Sequence, residues 1–173
     1  RIAAILCTCL AAPFYLWLWS HGGASSGTPL LHVLGIRWVG LLQASVYPLL
    51  LVAVLYAGPI IQHVTSDEPW YANERKDIIV RNYVVAPFAE EFVFRGCMVP
   101  LLLPSLGVMY TIGLCPLFFG IAHVHHLVEW AKRGEASLVA ACVTILFQVC
   151  YTSIYGMFSA FVLLRTGHLV SAI

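Results

Sequence analysis

Charged side chains are scarce in this sequence. Only 10% of its 173 residues are Asp, Glu, Lys or Arg, whereas a soluble domain averages about 25%. Hydrophobic residues make up 61%, and the mean hydropathy is +0.88. This composition excludes an ordinary soluble domain and a disordered chain, and the formal net charge of +1 argues against a nucleic-acid-binding surface. It predicts a helical protein that crosses the membrane several times.

The sequence also lacks any cysteine pattern that indicates a metal site or a disulfide framework. The six cysteines lie at positions 7, 9, 97, 115, 142 and 150, all within apolar segments, and no pair has CxxC spacing. We interpret them as small buried hydrophobic side chains.

The few charges divide the chain into apolar stretches. Polar clusters at 67–81 and 129–135 separate long hydrophobic segments. We predict an all-α, polytopic transmembrane bundle of about five or six membrane helices, forming a single membrane-embedded domain over 1–173. N-terminal transmembrane helices occupy 1–61, and a core at 62–173 carries the candidate site. The helices are predicted at 2–19, 36–61, 78–103, 106–128 and 136–164, with kinks at Pro48 and at Gly58–Pro59 and a break near Pro100–Pro104.

Three charges stand inside an apolar helix, where each costs about 2.5–3.5 kcal/mol at the bilayer centre. Glu91 and Arg95 are four residues apart on one helix face and are predicted to pair. Glu90 points about 100° away around the helix and is the unpaired carboxylate. It is suited to taking a proton from water and returning it. The alternative is a structural ion pair, with Glu90 merely facing a helix interface.

Histidines at the end of the next apolar helix are the second candidate element. His123 lies at the apolar edge, and imidazole suits proton chemistry near neutral pH. His125 and His126 run toward the polar cluster and are interpreted as interfacial groups. The spacing of His123 and His126 would let both face one metal ion, with Glu90 as a third ligand. Without an HExxH or ExxH pair, however, the metal signal is weak. We therefore predict no cofactor and no metal.

No serine or cysteine has a plausible catalytic partner in the sequence. Ser105, Ser153 and Ser159 are interpreted as ordinary small residues in apolar helices.

These residues carry a family resemblance. Glu90-Glu91-x-x-x-Arg95 followed by Phe119-x-x-x-His123 resembles the first two motifs of the type II CAAX prenyl proteases, the Ras-converting endopeptidases of the ABI (CAAX protease and bacteriocin-processing) family. The flanking segments 81–87, 115–120 and 165–169 resemble the eukaryotic branch. The resemblance covers about residues 70–173.

The resemblance implies a multi-pass endoplasmic-reticulum membrane hydrolase, a glutamate-dependent protease without a cofactor. Such enzymes remove the C-terminal tripeptide from farnesylated or geranylgeranylated CAAX proteins such as Ras-type small GTPases. It implies that Glu90 activates water and that His123 positions this water or stabilises the oxyanion. Glu91 and Arg95 would shape the site, and Phe119 would pack its helix against it. The partners implied are prenylated proteins and the lipid bilayer, without nucleic acid.

The chain departs from the family pattern at its end. The family has a third motif, a histidine followed four residues later by asparagine. His168 is followed at that distance by Ala172, so it is not that histidine. Because the sequence starts at Arg1 and stops at Ile173 within an apolar run, we expect a piece of a longer protein, truncated before the third motif and inactive alone.

Two alternatives remain open. One is a non-catalytic membrane scaffold of the same wider family. The other is a proton- or ion-coupled transporter that uses Glu90 and His123 as a relay, although the sequence shows no repeated broken helices.

Overall fold

The computed structural model describes residues 29–66, 75–122, 124 and 137–173, together with positions 11, 14, 15, 18 and 19. Within these residues the regular structure is entirely helical, and no strand occurs. The helices are α1 (Leu30–Val33), α2 (Leu41–Leu55), α3 (Ala57–Thr65), α4 (Lys76–Val80), α5 (Ala86–Glu91), α6 (Val99–Ala122) and α7 (Leu138–Thr166). Two π-helical segments, Arg81–Val85 and Phe92–Met98, join α4 to α5 and α5 to α6, and a 3₁₀ turn follows at Leu169–Ser171.

Each π-helical segment precedes a proline. Pro87 is the second residue of α5, and Pro100 is the second residue of α6. Proline cannot donate to the carbonyl four residues back, and its ring clashes with that carbonyl in an α-helix. The wider π turn is a place where a helix accommodates such a disruption. The helix therefore continues through Pro100 and Pro104, and the break predicted near these prolines lies three residues further on, at Gly107.

The chain reverses direction at Gly107, which lies within the range given for α6, so α6 consists of two helical arms. Gly107 has φ 72° and ψ 173°, a conformation that residues with a Cβ rarely adopt. The rings of Phe94 and Phe119 have centroids 5.1 Å apart, although along a straight helix the two residues would be separated by about 37 Å. The predicted helices 78–103 and 106–128 are therefore the two arms of a hairpin, within the part that the structure describes.

Helix α7 packs closely against this hairpin through small residues. A Cβ placed on Gly156 would lie 2.8 Å from the Pro116 Cβ and 2.7 Å from Arg95 Nη2, so only glycine fits. The Ser153 hydroxyl donates to the Pro116 carbonyl at 3.5 Å. Such contacts between small residues are typical of packed membrane helices. The adjoining apolar core consists of Val99, Cys115, Ala160, Leu163 and Ala172.

The segment before α2 is joined to the end of α7 by three hydrogen bonds. Helix α7 ends at Gly167, whose left-handed backbone (φ 67°) is a common helix terminator. Arg37 Nε donates to the Gly167 carbonyl at 2.7 Å, and the Leu169 amide donates to the Gly35 carbonyl at 2.9 Å. The buried His168 contributes the third bond, between its Nε2 and the Val39 carbonyl at 2.9 Å.

The prediction of an all-α membrane protein is confirmed. Two helical stretches, Lys76–Ile121 and Val139–Thr166, are long and apolar enough to cross a membrane. Helices α2 and α3, bent by 70°, together pass the same test and bring the number to as many as three. The count of five or six is not confirmed, and most of the predicted helix 2–19 lies outside the described residues.

Two smaller predictions need correction. The bend between α2 and α3 is at Tyr56, next to the predicted kink at Gly58–Pro59, whereas Pro48 lies inside the uninterrupted α2. The interpretation of the cysteines as buried is correct for Cys97 and Cys115 and wrong for Cys142 and Cys150, which are exposed on α7.

Replacement of Gly156 by alanine tests the close contact between α7 and the hairpin. We expect Gly156→Ala to lower the free energy of unfolding by about 1–3 kcal/mol, because the new methyl group overlaps Pro116 and the Arg95 guanidinium. The measurement is thermal unfolding of the detergent-solubilised protein. Gly113→Ala is the matched control, because a Cβ there meets nothing within 4 Å. Equal stability of the two variants would contradict the packing described.

Candidate active site

A buried ion pair forms the centre of the candidate site. Glu91 is the last residue of α5, and Arg95 follows one turn later in the π-helical segment. Arg95 Nε lies 3.1 Å from Glu91 Oε2, and the two side chains are 0% and 8% exposed. The predicted pairing is confirmed. Two charges removed from water in this way must neutralise each other and find further polar contacts, because their desolvation is costly.

Helix α7 supplies one of these polar contacts. The Ser159 hydroxyl donates to Glu91 Oε2 at 2.9 Å, and a longer contact of 3.4 Å joins Ser159 Oγ to the Ala172 carbonyl. The interpretation of Ser159 as an ordinary small residue is therefore wrong. One signal was available in the sequence. Ser153, Gly156 and Ser159 recur every three residues, which indicates a helix face made for close packing.

Helix α6 contacts the guanidinium group from another side. The Phe119 ring lies with its centroid 4.5 Å from Arg95 Cζ, a cation–π geometry. Its edge also packs on Phe94, and the Cys115 thiol donates to the Phe94 carbonyl at 3.0 Å. Phe119 thus packs α6 against the ion pair.

Arg95 retains donors that no described residue accepts. Nε, Nη1 and Nη2 are all buried, and none makes an aligned hydrogen bond within the described part of the chain. A guanidinium group carries five N–H donors. The attraction between Arg95 and Glu91 is therefore electrostatic, without an aligned hydrogen bond between them.

Glu90 has a different environment from its neighbour. Its side chain is half-buried, and it has no hydrogen bond or ion pair with another described residue. Of the two adjacent carboxylates, Glu91 is engaged in packing the helices, and Glu90 is the free one. This is the division that the helical spacing predicted.

The remaining predicted site residue, His123, lies outside the described residues, as do His125 and His126. His123 directly follows Ala122, the last residue of α6, and is four residues beyond Phe119. Among the described residues no three His, Cys, Asp or Glu side chains are close enough to hold a metal ion. Because two of the three ligands considered are not described, the expectation of no metal stays a prediction.

Comparison with known protein families shows which family the chain belongs to. The profile of the Rce1-like type II CAAX prenyl endopeptidases matches residues 77–173, more than half of the chain. The matched region contains Glu90, Glu91, Arg95 and Phe119 together with the Ser159 contact. The chain belongs to this family. The resemblance seen in the two motifs is thereby confirmed.

Members of the CAAX endopeptidase family in distant eukaryotes are similar to the chain. It is 34% identical to human CAAX prenyl protease 2, covering 100% of the chain and 57% of the human protein. It is 33% identical to CAAX prenyl protease 2 of Arabidopsis thaliana (98% and 60%) and 30% identical to that of Caenorhabditis elegans (83% and 56%). The chain thus spans little more than half the length of these relatives. No solved structure matches it.

Removal of the Ser159 hydroxyl tests its contact with the buried carboxylate. We expect Ser159→Ala to destabilise the protein by about 1–3 kcal/mol, because Glu91 Oε2 loses a charge-assisted hydrogen bond in a buried place. Ser105→Ala, at an exposed serine of α6, is the matched control and should unfold with the parent protein. The measurement is denaturant unfolding in detergent. A Ser159→Ala variant as stable as the control would show that the hydrogen bond contributes nothing.

Proposed function

We propose that the protein carrying this chain is an integral-membrane endopeptidase that removes the C-terminal tripeptide from prenylated CAAX proteins. The observation that carries the proposal is the half-buried carboxylate of Glu90, which has no partner among the described residues, beside a neutralised, buried Glu91–Arg95 pair. Membership of the Rce1-like family and relatives named CAAX prenyl protease 2 support it. The endoplasmic reticulum is the proposed location.

Glu90 is the proposed general base. Its carboxylate takes a proton from a water molecule, and the oxygen of this water attacks the carbonyl carbon of the peptide bond that follows the prenylated cysteine. The proton then passes to the nitrogen of the leaving tripeptide as the carbon–nitrogen bond breaks. The products are a new carboxyl group on the prenylcysteine and a free tripeptide, so one water is consumed for each bond broken.

The ion pair makes such a base compatible with a membrane interior. Two adjacent ionised carboxylates in an apolar region repel each other, which disfavours the charged state of both. Arg95 offsets the charge of Glu91, and Ser159 donates to the same carboxylate. Glu91 and Arg95 are thus proposed as supporting residues that hold α5, and with it Glu90, in place. Phe119 holds α6 against them.

His123 is proposed to complete the first half of the reaction centre. An imidazole near the base could orient the attacking water or donate to the oxyanion that forms on the substrate carbonyl. Such donors commonly contribute factors of about 10²–10³ to the rate. The family's third motif would supply the remaining groups. Residues 1–173 contain no histidine followed four residues later by asparagine, so the full-length protein is used in the assay.

The proposed substrate brings its own membrane anchor. A farnesyl or geranylgeranyl chain buried in an apolar environment contributes about 0.8 kcal/mol per methylene group. The helix that carries Glu90 presents apolar surface outward, since Phe88 on α5 is 53% exposed. A substrate already held in the bilayer would therefore reach this region at high local concentration. Ras-type small GTPases are proposed members of this substrate class.

Substitution of the proposed base tests the mechanism in the full-length protein. In membranes that lack other CAAX proteases, we expect Glu90→Gln to lower the rate of tripeptide release from a farnesylated CAAX peptide by about 10²–10⁴-fold. Its stability should change little, because Glu90 has no hydrogen bond or ion pair with a described residue that the change would remove. The measurement is product release at saturating peptide, together with the unfolding temperature.

Two further variants serve as controls for the Glu90→Gln measurement. Asp77→Asn removes an exposed carboxylate that pairs with the exposed Arg75 and should leave the rate unchanged. Glu91→Gln should lower the unfolding temperature as well as the rate, because it leaves Arg95 buried without its counter-charge. Full activity of Glu90→Gln would disprove the assignment of the base. A silent parent protein, with the fold intact, would disprove the protease function.

A further inference from the structure

A cavity separate from the ion pair lies between α2 and the C-terminal end of α7. Its volume is about 440 Å³, and neither Glu90, Glu91 nor Arg95 lines it. Two arginines, Arg37 and Arg165, lie in its wall, and no described acidic residue does. The cavity therefore has a net positive wall within the described part of the chain.

Both arginines are at the depth where a membrane helix leaves the hydrocarbon. Arg165 is the penultimate residue of α7, is exposed, and stands at the end of the candidate span Val139–Thr166. Arg37 precedes α2 by a few residues and is hydrogen-bonded to Gly167, directly after the same end of α7. Basic residues in this position face the lipid headgroups.

The guanidinium group of Arg37 is held in place by the turn after α7. Its Nε donates to the Gly167 carbonyl at 2.7 Å, and the group lies where a side chain of residue 167 would otherwise be. Neither Arg37 nor Arg165 forms an ion pair with a described acidic residue. A guanidinium fork matches phosphate and carboxylate oxygens in a bidentate manner. Arg37 thus offers an oriented guanidinium group and Arg165 an exposed one, and neither is paired with a described acidic residue.

The rest of the cavity wall is apolar and leads away from these donors. Tyr47 and Leu51 of α2 and Phe161 of α7 line it, each more than one-third exposed. Tyr47 and Leu51 lie beyond the first turn of α2, and Phe161 lies one turn before Arg165 in α7. The apolar part of the cavity therefore runs toward the bilayer interior. A cationic mouth followed by an apolar groove fits an amphiphile with an anionic head and a hydrocarbon chain.

We propose that this cavity binds an anionic phospholipid. The phosphate or carboxylate of the headgroup lies between Arg37 and Arg165, and one acyl chain follows the groove between α2 and α7. The arginines account for the preference for negative charge, and the apolar wall accounts for a lipid in preference to a soluble anion. The inference does not depend on the protease activity.

Lipid retention by the full-length protein tests this assignment. The protein in mild detergent is incubated with equal amounts of phosphatidylserine and phosphatidylcholine that have identical acyl chains, and bound lipid is counted by native mass spectrometry. We expect phosphatidylserine to be retained preferentially. We expect Arg165→Gln to reduce its retention about five-fold, the usual effect of one basic residue on an anionic lipid. Arg165→Lys should restore most of it.

Controls make the outcome specific to the cavity. Arg81→Gln removes an arginine outside the cavity and should leave retention unchanged. An excess of glycerol phosphate, which has the charge without the chain, should not displace the lipid. Equal retention of the two lipids, equal losses in Arg165→Gln and Arg81→Gln, or displacement by glycerol phosphate would each overturn the proposal. Unchanged retention in Arg165→Gln would do the same.

Discussion

The structure depends on the burial of one ion pair. Glu91 and Arg95 lie in an apolar bundle, where a charge without its partner costs about 3–5 kcal/mol, a large part of the stability of a typical domain. The neighbouring helices contact both members of the pair and so offset part of this cost. The hairpin at Gly107 returns α6 so that Phe119 faces the guanidinium group, and α7 approaches closely enough for Ser159 to reach Glu91. The absence of a side chain at Gly156 permits this approach.

The same constraint separates two roles between adjacent carboxylates. Successive residues on a helix point about 100° apart, so Glu90 and Glu91 cannot both face the ion pair. Glu91 takes the inward position and becomes part of the packing, whereas Glu90 stays half-buried and has no partner among the described residues. A proton acceptor must remain free to change its charge, and a structural carboxylate must not. In the proposed mechanism, their placement on consecutive residues lets the structural carboxylate of Glu91 orient the proposed base, Glu90.

The local features of this arrangement could be predicted from the sequence, and the distant ones could not. The Glu91–Arg95 pair follows from a spacing of four on one helix, and the apolar segments follow from the distribution of charge. Ser159 was missed because nothing in one sequence shows which residue of a distant helix meets Glu91. The break predicted from the prolines was placed a few residues too early for a different reason. Pro100 favours a break in a helix, but here the π-helical segment before it accommodates the proline. Gly107, with its positive φ, is where the chain reverses.

The turn after α7 connects the ion pair to the cationic cavity. On one side its residues accept and donate hydrogen bonds with the segment that contains Gly35, Arg37 and Val39, which lines the cavity. On the other side the Ala172 carbonyl lies 3.4 Å from the Ser159 hydroxyl that contacts Glu91. Because these bonds hold the turn from both sides, its position relative to the carboxylates is well determined.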